Sequence, residues 1–244
     1  MNKITYIKAL RDNYIWLIHG VDPSHVIVID PGEATPVIAH LKENNLHMDG
    51  ILLTHHHWDH TNGVNGLLQQ YPHTPIYSSE SDKVDGVTHF VKEGENIHFA
   101  NLPSPIKVLD IPGHTLGHVA FIYEDALFSG DTLFSCGCGR IFEGTPEQMF
   151  DSLQKLKQLP ADTLMYCAHE YTESNIAFAE VAEVDNKALQ LRKKQVADLR
   201  KANLPTLPIS LKTELETNPF LRCKSAADLL HLREWKSKFD AGVK

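Results

Sequence analysis

The stretch Thr54-His55-His56-His57-Trp58-Asp59-His60 packs four histidines and an aspartate into six positions. Imidazole and carboxylate donors at that density suit a divalent cation such as Zn, Fe or Mn. If a strand at Gly50–Thr54 feeds this segment, alternation turns His55 and His57 to one side and His56 to the other. Asp59 and His60 then come round as the chain enters a helix. The segment alone does not fix how many ions it serves. Three more donors follow expected strands: His114 after Pro112-Gly113, Asp131 after Ser129-Gly130, and His169 after Cys167-Ala168. Any one of these more commonly caps or pins backbone. Together they point to one ligand site, since open α/β sheets bind ligands beyond the carboxyl ends of their strands.

The elements that must position these donors are legible as an alternation of strands and helices. β-branched runs at Ile4–Ile7, Tyr14–Ile18, Val26–Ile29 and Gly50–Thr54 read as strands, and Asp30-Pro31-Gly32 as a turn. Thr35-Pro36 reads as a capped helix start. The second half offers strands at Ile106–Ile111, Val119–Tyr123, Ala126–Ser129 and Thr163–Ala168, with a helix at Pro146–Gln158. Beyond Glu170 the texture becomes helical, with segments at Asn175–Val184, Ala188–Lys201 and Ala226–Phe239. The expectation is an α/β domain over residues 1–170 followed by a small helical domain over 171–244.

Composition narrows the class. With 42% hydrophobic and 22% charged residues over 244 positions, the chain can bury a core and shows no disordered block or repeat. Lys3, Lys8, Arg11 and Asp12 interrupt the N-terminal apolar residues, so no signal peptide is expected. No run approaches the roughly 18 apolar residues of a membrane helix. A cytoplasmic location is the resulting expectation. Cys136, Cys138, Cys167 and Cys223 are too few and too unevenly spaced for a disulfide framework, and read as structural thiols rather than metal ligands. The net charge of −8 opposes nucleic-acid binding. It conceals an asymmetry: residues 1–170 hold 10 Lys+Arg against 21 Asp+Glu (net −11), and residues 171–244 hold 13 against 10 (net +3).

The pattern T-H-x-H-x-D-H, with His, Asp and His after later strands, resembles the metallo-β-lactamase superfamily. The resemblance implies an αββα sandwich of two mixed sheets faced by helices. It implies two divalent ions, Zn foremost with Fe or Mn as alternatives. His55, His57 and His114 would hold one ion, Asp59, His60 and His169 the other, and Asp131 would bridge them, making Asp59 and Asp131 the catalytic carboxylates. Seven ligands exceed one tetrahedral site and suit a pair of ions. His118 and Glu170 are open between supporting the ligands and serving structure alone.

Gly137-Cys138-Gly139-Arg140-Ile141-Phe142-Glu143-Gly144-Thr145, His169-Glu170-Tyr171-Thr172 and Arg233-Glu234-Trp235-Lys236 are similar to the glyoxalase II family over nearly the whole chain. That resemblance implies hydrolysis of S-D-lactoylglutathione to D-lactate and glutathione. It assigns Arg140, Ile141, Phe142, Tyr171, Arg233 and Lys236 to the glutathione part. From spacing alone, Arg233 and Lys236 read as an ordinary solvated helix face. Where some members carry a tyrosine this chain has Phe142, which offers no hydroxyl. The alternative is a persulfide dioxygenase or another thioesterase of the superfamily. The implied partner is a small-molecule thioester bound by a monomer, with no nucleic acid or membrane.

Overall fold

The computed structural model describes residues 3–242. They form two compact units: one runs up to Asp110 and takes in Gly117–Glu124, and the other joins Ile111–Leu116 to everything from Asp125 onward.

The first unit contains β1 (Ile4–Ala9), β2 (Asn13–His19), β3 (His25–Ile29), α1 (Ala34–Glu43), β4 (His47–Leu52), α2 (Trp58–Thr61), α3 (Val64–Gln70), β5 (Ile76–Ser79), β6 (His89–Val91), β7 (Asn96–Ile97), β8 (Ile106–Asp110) and β9 (Val119–Tyr123). Strands β1 to β6 form one sheet in sequence order. The pairs β1–β2 and β2–β3 are antiparallel, and β3 to β6 pair in parallel. All seven residues of β2 are buried, which explains its run of apolar and aromatic side chains. Ile15, Leu17, Val28, Leu41, Ile51 and Leu67 lie in one core cluster. Each such aliphatic contributes about 1.5–3 kcal/mol by leaving water.

The second unit contains β10 (Ala126–Gly130), β11 (Leu133–Phe134), β12 (Gly137–Cys138), α4 (Pro146–Lys157), β13 (Leu164–Cys167), α5 (Thr172–Ala182), α6 (Lys187–Lys201), β14 (Ile209–Ser210), α7 (Leu211–Thr217), a 3-10 turn at Pro219–Arg222 and α8 (Ala226–Asp240). Here β10 pairs with β13 in parallel, β13 with β14 antiparallel, and β11 with β12 antiparallel. Helix α4 begins where Pro146 predicts, under a capping box between Thr145 and Gln148. The helical tail is tied to the β11–β12 hairpin by polar side chains. Asn175 Nδ2 donates to Ser135 O at 3.0 Å, Asn218 Nδ2 to Phe134 O at 3.0 Å, and Arg233 Nη1 to Cys138 O at 2.6 Å.

Where the elements depart from the sequence reading, hydrogen bonding explains the shift. The strand expected at Gly50–Thr54 is His47–Leu52. Its ladder ends because the Thr54 N–H donates 2.8 Å to the Asp30 carboxylate instead of to a neighbouring strand. Helix α1 starts at Ala34, and Glu33 does not cap it, because its carboxylate accepts the Leu10 N–H at 2.6 Å. The two- to four-residue strands β5, β6, β7, β11, β12 and β14 are too short to show a period.

Glu214 is fully buried in the second unit. It accepts from Ser135 Oγ at 2.8 Å, the Cys136 N–H at 2.8 Å and Asn218 Nδ2 at 3.1 Å. Cys136 has φ 56°, a conformation that costs a non-glycine residue, and the Glu214 bond anchors it. Burial pushes the Glu214 carboxyl above its ordinary 4.5, more than its donors pull it down. A folded-state pKa above the unfolded value means that stability is fully present below 4.5 and is lost as pH rises through the folded pKa. Glu214→Gln keeps the shape and removes this titration. Its Tm is expected to gain on the wild type steadily from pH 4.5 to 7; parallel Tm profiles would show that ionisation of Glu214 costs nothing.

Candidate metal centre

In the first unit the donor segment leaves β4 through a clamp built on Asp30, which is 4% exposed. Asp30 accepts the Thr54 N–H at 2.8 Å, the Thr54 hydroxyl at 2.7 Å and His60 Nδ1–H at 3.0 Å. Since a carboxylate only accepts, His60 carries its proton on Nδ1 and turns a lone pair outward at Nε2. The Thr54 hydroxyl spends its single hydrogen on Asp30, so at 3.0 Å it accepts from His55 Nδ1–H. His55 Nε2 is therefore also a lone-pair donor to whatever it faces. One buried aspartate sets both tautomers, the support that metal-binding imidazoles commonly receive. Asp30, His55 and His60 together offer three donor atoms within 4.8 Å. With both Asp30 oxygens engaged, its part there is to orient the imidazoles.

Opposite these nitrogens stand further donors at a characteristic spacing. His55 Nε2 lies 3.1 Å from His57 Nδ1, and His60 Nε2 lies 3.5 Å from Asp59 Oδ2. Ligands about 2.0 Å from a tetrahedral ion stand roughly 3.3 Å apart, so both gaps match coordination edges. The segment is also pinned from outside. Asp82, 1% exposed, accepts the His56 N–H at 2.9 Å and the Gly117 N–H at 3.0 Å. Asn13 Nδ2 donates to Asp59 Oδ2 at 3.3 Å. His118 stacks on His55 with ring centroids 4.6 Å apart. At Gly32 a Cβ would sit 1.9 Å from the Asp59 carbonyl oxygen, so only glycine lets the Asp30 turn approach the ligand segment this closely.

The second unit brings His114, Asp131 and His169 together. Asp131 Oδ2 lies 3.5 Å from His114 Nε2, and Asp131 Oδ1 lies 3.3 Å from His169 Nε2, so one carboxylate oxygen faces each imidazole. That is the arrangement a bridging carboxylate needs. His114 Nδ1–H donates 2.8 Å to the carbonyl of Arg140, which leaves the Nε2 lone pair toward Asp131. A neutral imidazole and a carboxylate oxygen at that distance repel each other, and a cation between them would remove that repulsion. His169 lies under Tyr171, the rings 4.6 Å apart and 5° from parallel. A Cβ on Gly139 would meet the Asp131 carbonyl oxygen at 1.8 Å, which explains a glycine in that turn. Glu170 accepts the Thr206 N–H at 2.9 Å and the Thr206 hydroxyl at 2.6 Å, tying the segment after β13 to the chain before β14.

A cavity of about 630 Å³ in the same unit is lined by Arg140, Ile141, Phe142 and Arg233 with the outer face of α8. Two of its lining residues reach His114. Arg140 holds that imidazole through its carbonyl, and the Phe142 ring lies 5.2 Å from it. Arg233 is 8% and Lys236 3% exposed, so neither belongs to a solvated helix face. Arg233 lies over the Phe220 ring, and Lys236 Nζ pairs with Asp240 at 2.5 Å. Burial lowers the Lys236 pKa, Asp240 opposes this, and the charges of Arg233 and Arg140 add to the lowering. Three cations held this near one another favour an anionic ligand. Cys136, Cys138 and Cys167 are buried free thiols and Cys223 is half-buried; burial pushes Cys136 to about 12 and raises Cys138, which keeps both protonated.

Residues 10–169 match the metallo-β-lactamase superfamily, and residues 170–239 match the hydroxyacylglutathione hydrolase C-terminus. A hydroxyacylglutathione hydrolase of Nitrosomonas europaea is 50% identical over 91% of this chain and 83% of its own length. One from Photobacterium profundum is 46% identical over 98% of this chain and 100% of its own. The chain belongs to the hydroxyacylglutathione hydrolase family of the metallo-β-lactamase superfamily. Solved structures agree on the fold. ETHE1 from Myxococcus xanthus superposes with a TM-score of 0.72 at 22% identity, covering 96% of this chain and 90% of that one. TTHA1623 in a di-iron-bound form superposes with a TM-score of 0.64 at 24% identity, covering 88% and 98%. The metallo-β-lactamase fold with a C-terminal helical region is thus the architecture expected from the family resemblance.

Membership in the family gives the donor clusters their meaning as a divalent metal centre, and the Asp30 clamp is the part that reading the sequence missed. Asp30 looked like a turn residue. Its signal is that it ends β3 beside the strand carrying the ligands. Asp30→Ala is expected to lower metal affinity about 10- to 100-fold, measured by chelator competition on folded protein. Wild-type affinity in that variant would separate Asp30 from the ligands.

Proposed function

We propose that this chain hydrolyses S-D-lactoylglutathione to D-lactate and glutathione, with two divalent ions held by the seven donors. His55, His57 and His114 serve one ion and Asp59, His60 and His169 the other, with Asp131 shared. Zn fits the nitrogen-rich set best, and Fe or Mn are alternatives for the same donors. The reading is supported by lone-pair nitrogens and carboxylate oxygens spaced 3.1 to 3.5 Å apart within each unit. When bound, the ions supply Lewis acidity and a water ionised near neutral pH.

The chain's own residues do the rest. The observation that carries the substrate assignment is that Arg140 and Phe142 touch the ligand His114 and also line the cavity. A glutathione thioester laid in the cavity would thereby present its acyl carbon at the metal ligands. Arg140 and Arg233 offer donors to glutathione carboxylates, Lys236 adds positive field from behind them, and the backbone of Ile141 and Phe142 edges the site. Phe142, 60% exposed, presents a ring face in place of a hydroxyl, and Tyr171 braces His169. A thiolate leaves readily, so no strong general acid is needed. Asp59, besides serving as a donor to the ion, would orient the attacking oxygen by accepting a hydrogen bond from it. Residues 1–170 would thus carry the ligands, and 171–244 most of the glutathione grip. The C-terminal family match favours this hydrolase over a persulfide dioxygenase.

Purified protein is expected to cleave S-D-lactoylglutathione, followed by its ultraviolet absorbance, and to lose that activity on chelation. Oxygen uptake with a persulfide instead would overturn the reading. Asp131→Ala should lose metal and turnover together, since its two carboxylate oxygens face His114 and His169 separately; full activity would contradict the shared carboxylate. Arg140→Ala keeps the carbonyl that holds His114, so KM should rise roughly five- to thirtyfold, for a contact of about 1–2 kcal/mol, at unchanged kcat and metal content. An unchanged KM would remove Arg140 from the substrate grip.

A further inference from the structure

The cavity beside His114 contains one charge that its cations do not explain. Glu234 lines it together with Arg140, Arg233 and Lys238. Glu234 and Lys238 stand one helical turn apart on α8, the spacing at which exposed opposite charges usually meet. Among the described residues neither has an ion-pair partner within 4.0 Å, whereas Lys236 and Asp240, at the same spacing on the same helix, pair at 2.5 Å. Glu234 and Lys238 are both exposed and leave their charges unpaired where the cavity meets a neighbouring groove along α8, so both are free to meet a ligand in the cavity. Three cations and one anion line the space.

On the reading that the substrate is a glutathione thioester, this inventory has a counterpart in the ligand. Glutathione carries a glycyl carboxylate, a γ-glutamyl α-carboxylate and one α-ammonium. The cations answer the carboxylates. The ammonium would sit among like charges unless an anion meets it, and Glu234 is the anion available. We propose that Glu234 recognises the γ-glutamyl ammonium, making the site selective for a zwitterionic peptide thioester over one that lacks the amine. This is a specificity role, distinct from the grip on the carboxylates.

The test uses full-length, metal-replete enzyme with two substrates: S-D-lactoylglutathione, and the lactoyl thioester of glutaryl-Cys-Gly, which keeps both carboxylates and lacks only the amine. Wild type is expected to show a KM about three- to tenfold lower for the amine-bearing ester, the range of a partly exposed charged contact. In Glu234→Gln that preference should vanish or reverse, because the more anionic analogue then suits the cations better. Glu234→Asp should retain part of it, and kcat and metal content should stay at wild-type values. A structural lesion would instead raise KM for both esters alike, so the ratio isolates the contact. An unaltered ratio in Glu234→Gln, with wild type cleaving the parent ester, overturns the inference and leaves the hydrolase reading standing. A metal-replete wild type inactive on both esters overturns both.

Discussion

Lone-pair nitrogens and carboxylate oxygens a little over 3 Å apart repel one another, and each must be held in place from outside the cluster. That constraint organises the site. In the first unit, Asp30 accepts three hydrogen bonds and so fixes His60 directly and His55 through the Thr54 hydroxyl. The same contact ends the β4 ladder, so strand termination and ligand orientation are one event. In the second unit the Arg140 carbonyl does this for His114, and the Tyr171 ring confines His169. The backbone around the donors is correspondingly tight, with glycine at 32 and 139 where any Cβ would strike the carbonyl of a ligand residue.

The parts legible in the sequence are those written in residue type and period. The His and Asp donors stand at strand ends, and the strands that deliver them were visible as β-branched runs within a few residues of their observed bounds. Helix α4 is marked by its expected start at Pro146, and α8 by the helical texture of the chain beyond Glu170. What the sequence did not disclose was partnership across long separations. Asp30 and His60 are thirty positions apart, as Asp82 and Gly117 are thirty-five. No local pattern distinguishes an aspartate that ends a turn from one that orients an imidazole.

The helical tail illustrates the opposite error. Arg233 and Lys236, three residues apart, have the spacing of a solvated face, yet both are buried. A helix face is solvated only if nothing covers it, and coverage is decided by polar ties such as Arg233 to Cys138 and Asn218 to Phe134. Burying cations is costly unless they are partnered. Here the Phe220 and Phe178 rings, the Cys138 carbonyl and Asp240 offset part of that cost, and an anionic ligand would offset more.

On the proposed reading, substrate grip and metal support share a short stretch of chain. Arg140 gives its carbonyl to His114 and its side chain to the cavity, while Phe142 packs its ring against His114 from the cavity side. Displacing this stretch to accommodate a poor ligand would disturb the hydrogen bond that sets the His114 tautomer. Binding and ligand orientation are thus coupled through three residues. A site built this way would distinguish substrates by how well they leave the Arg140 carbonyl undisturbed, as well as by how many contacts they make. In that respect the backbone of residues 140–142 would be as much part of the specificity as the cations around it.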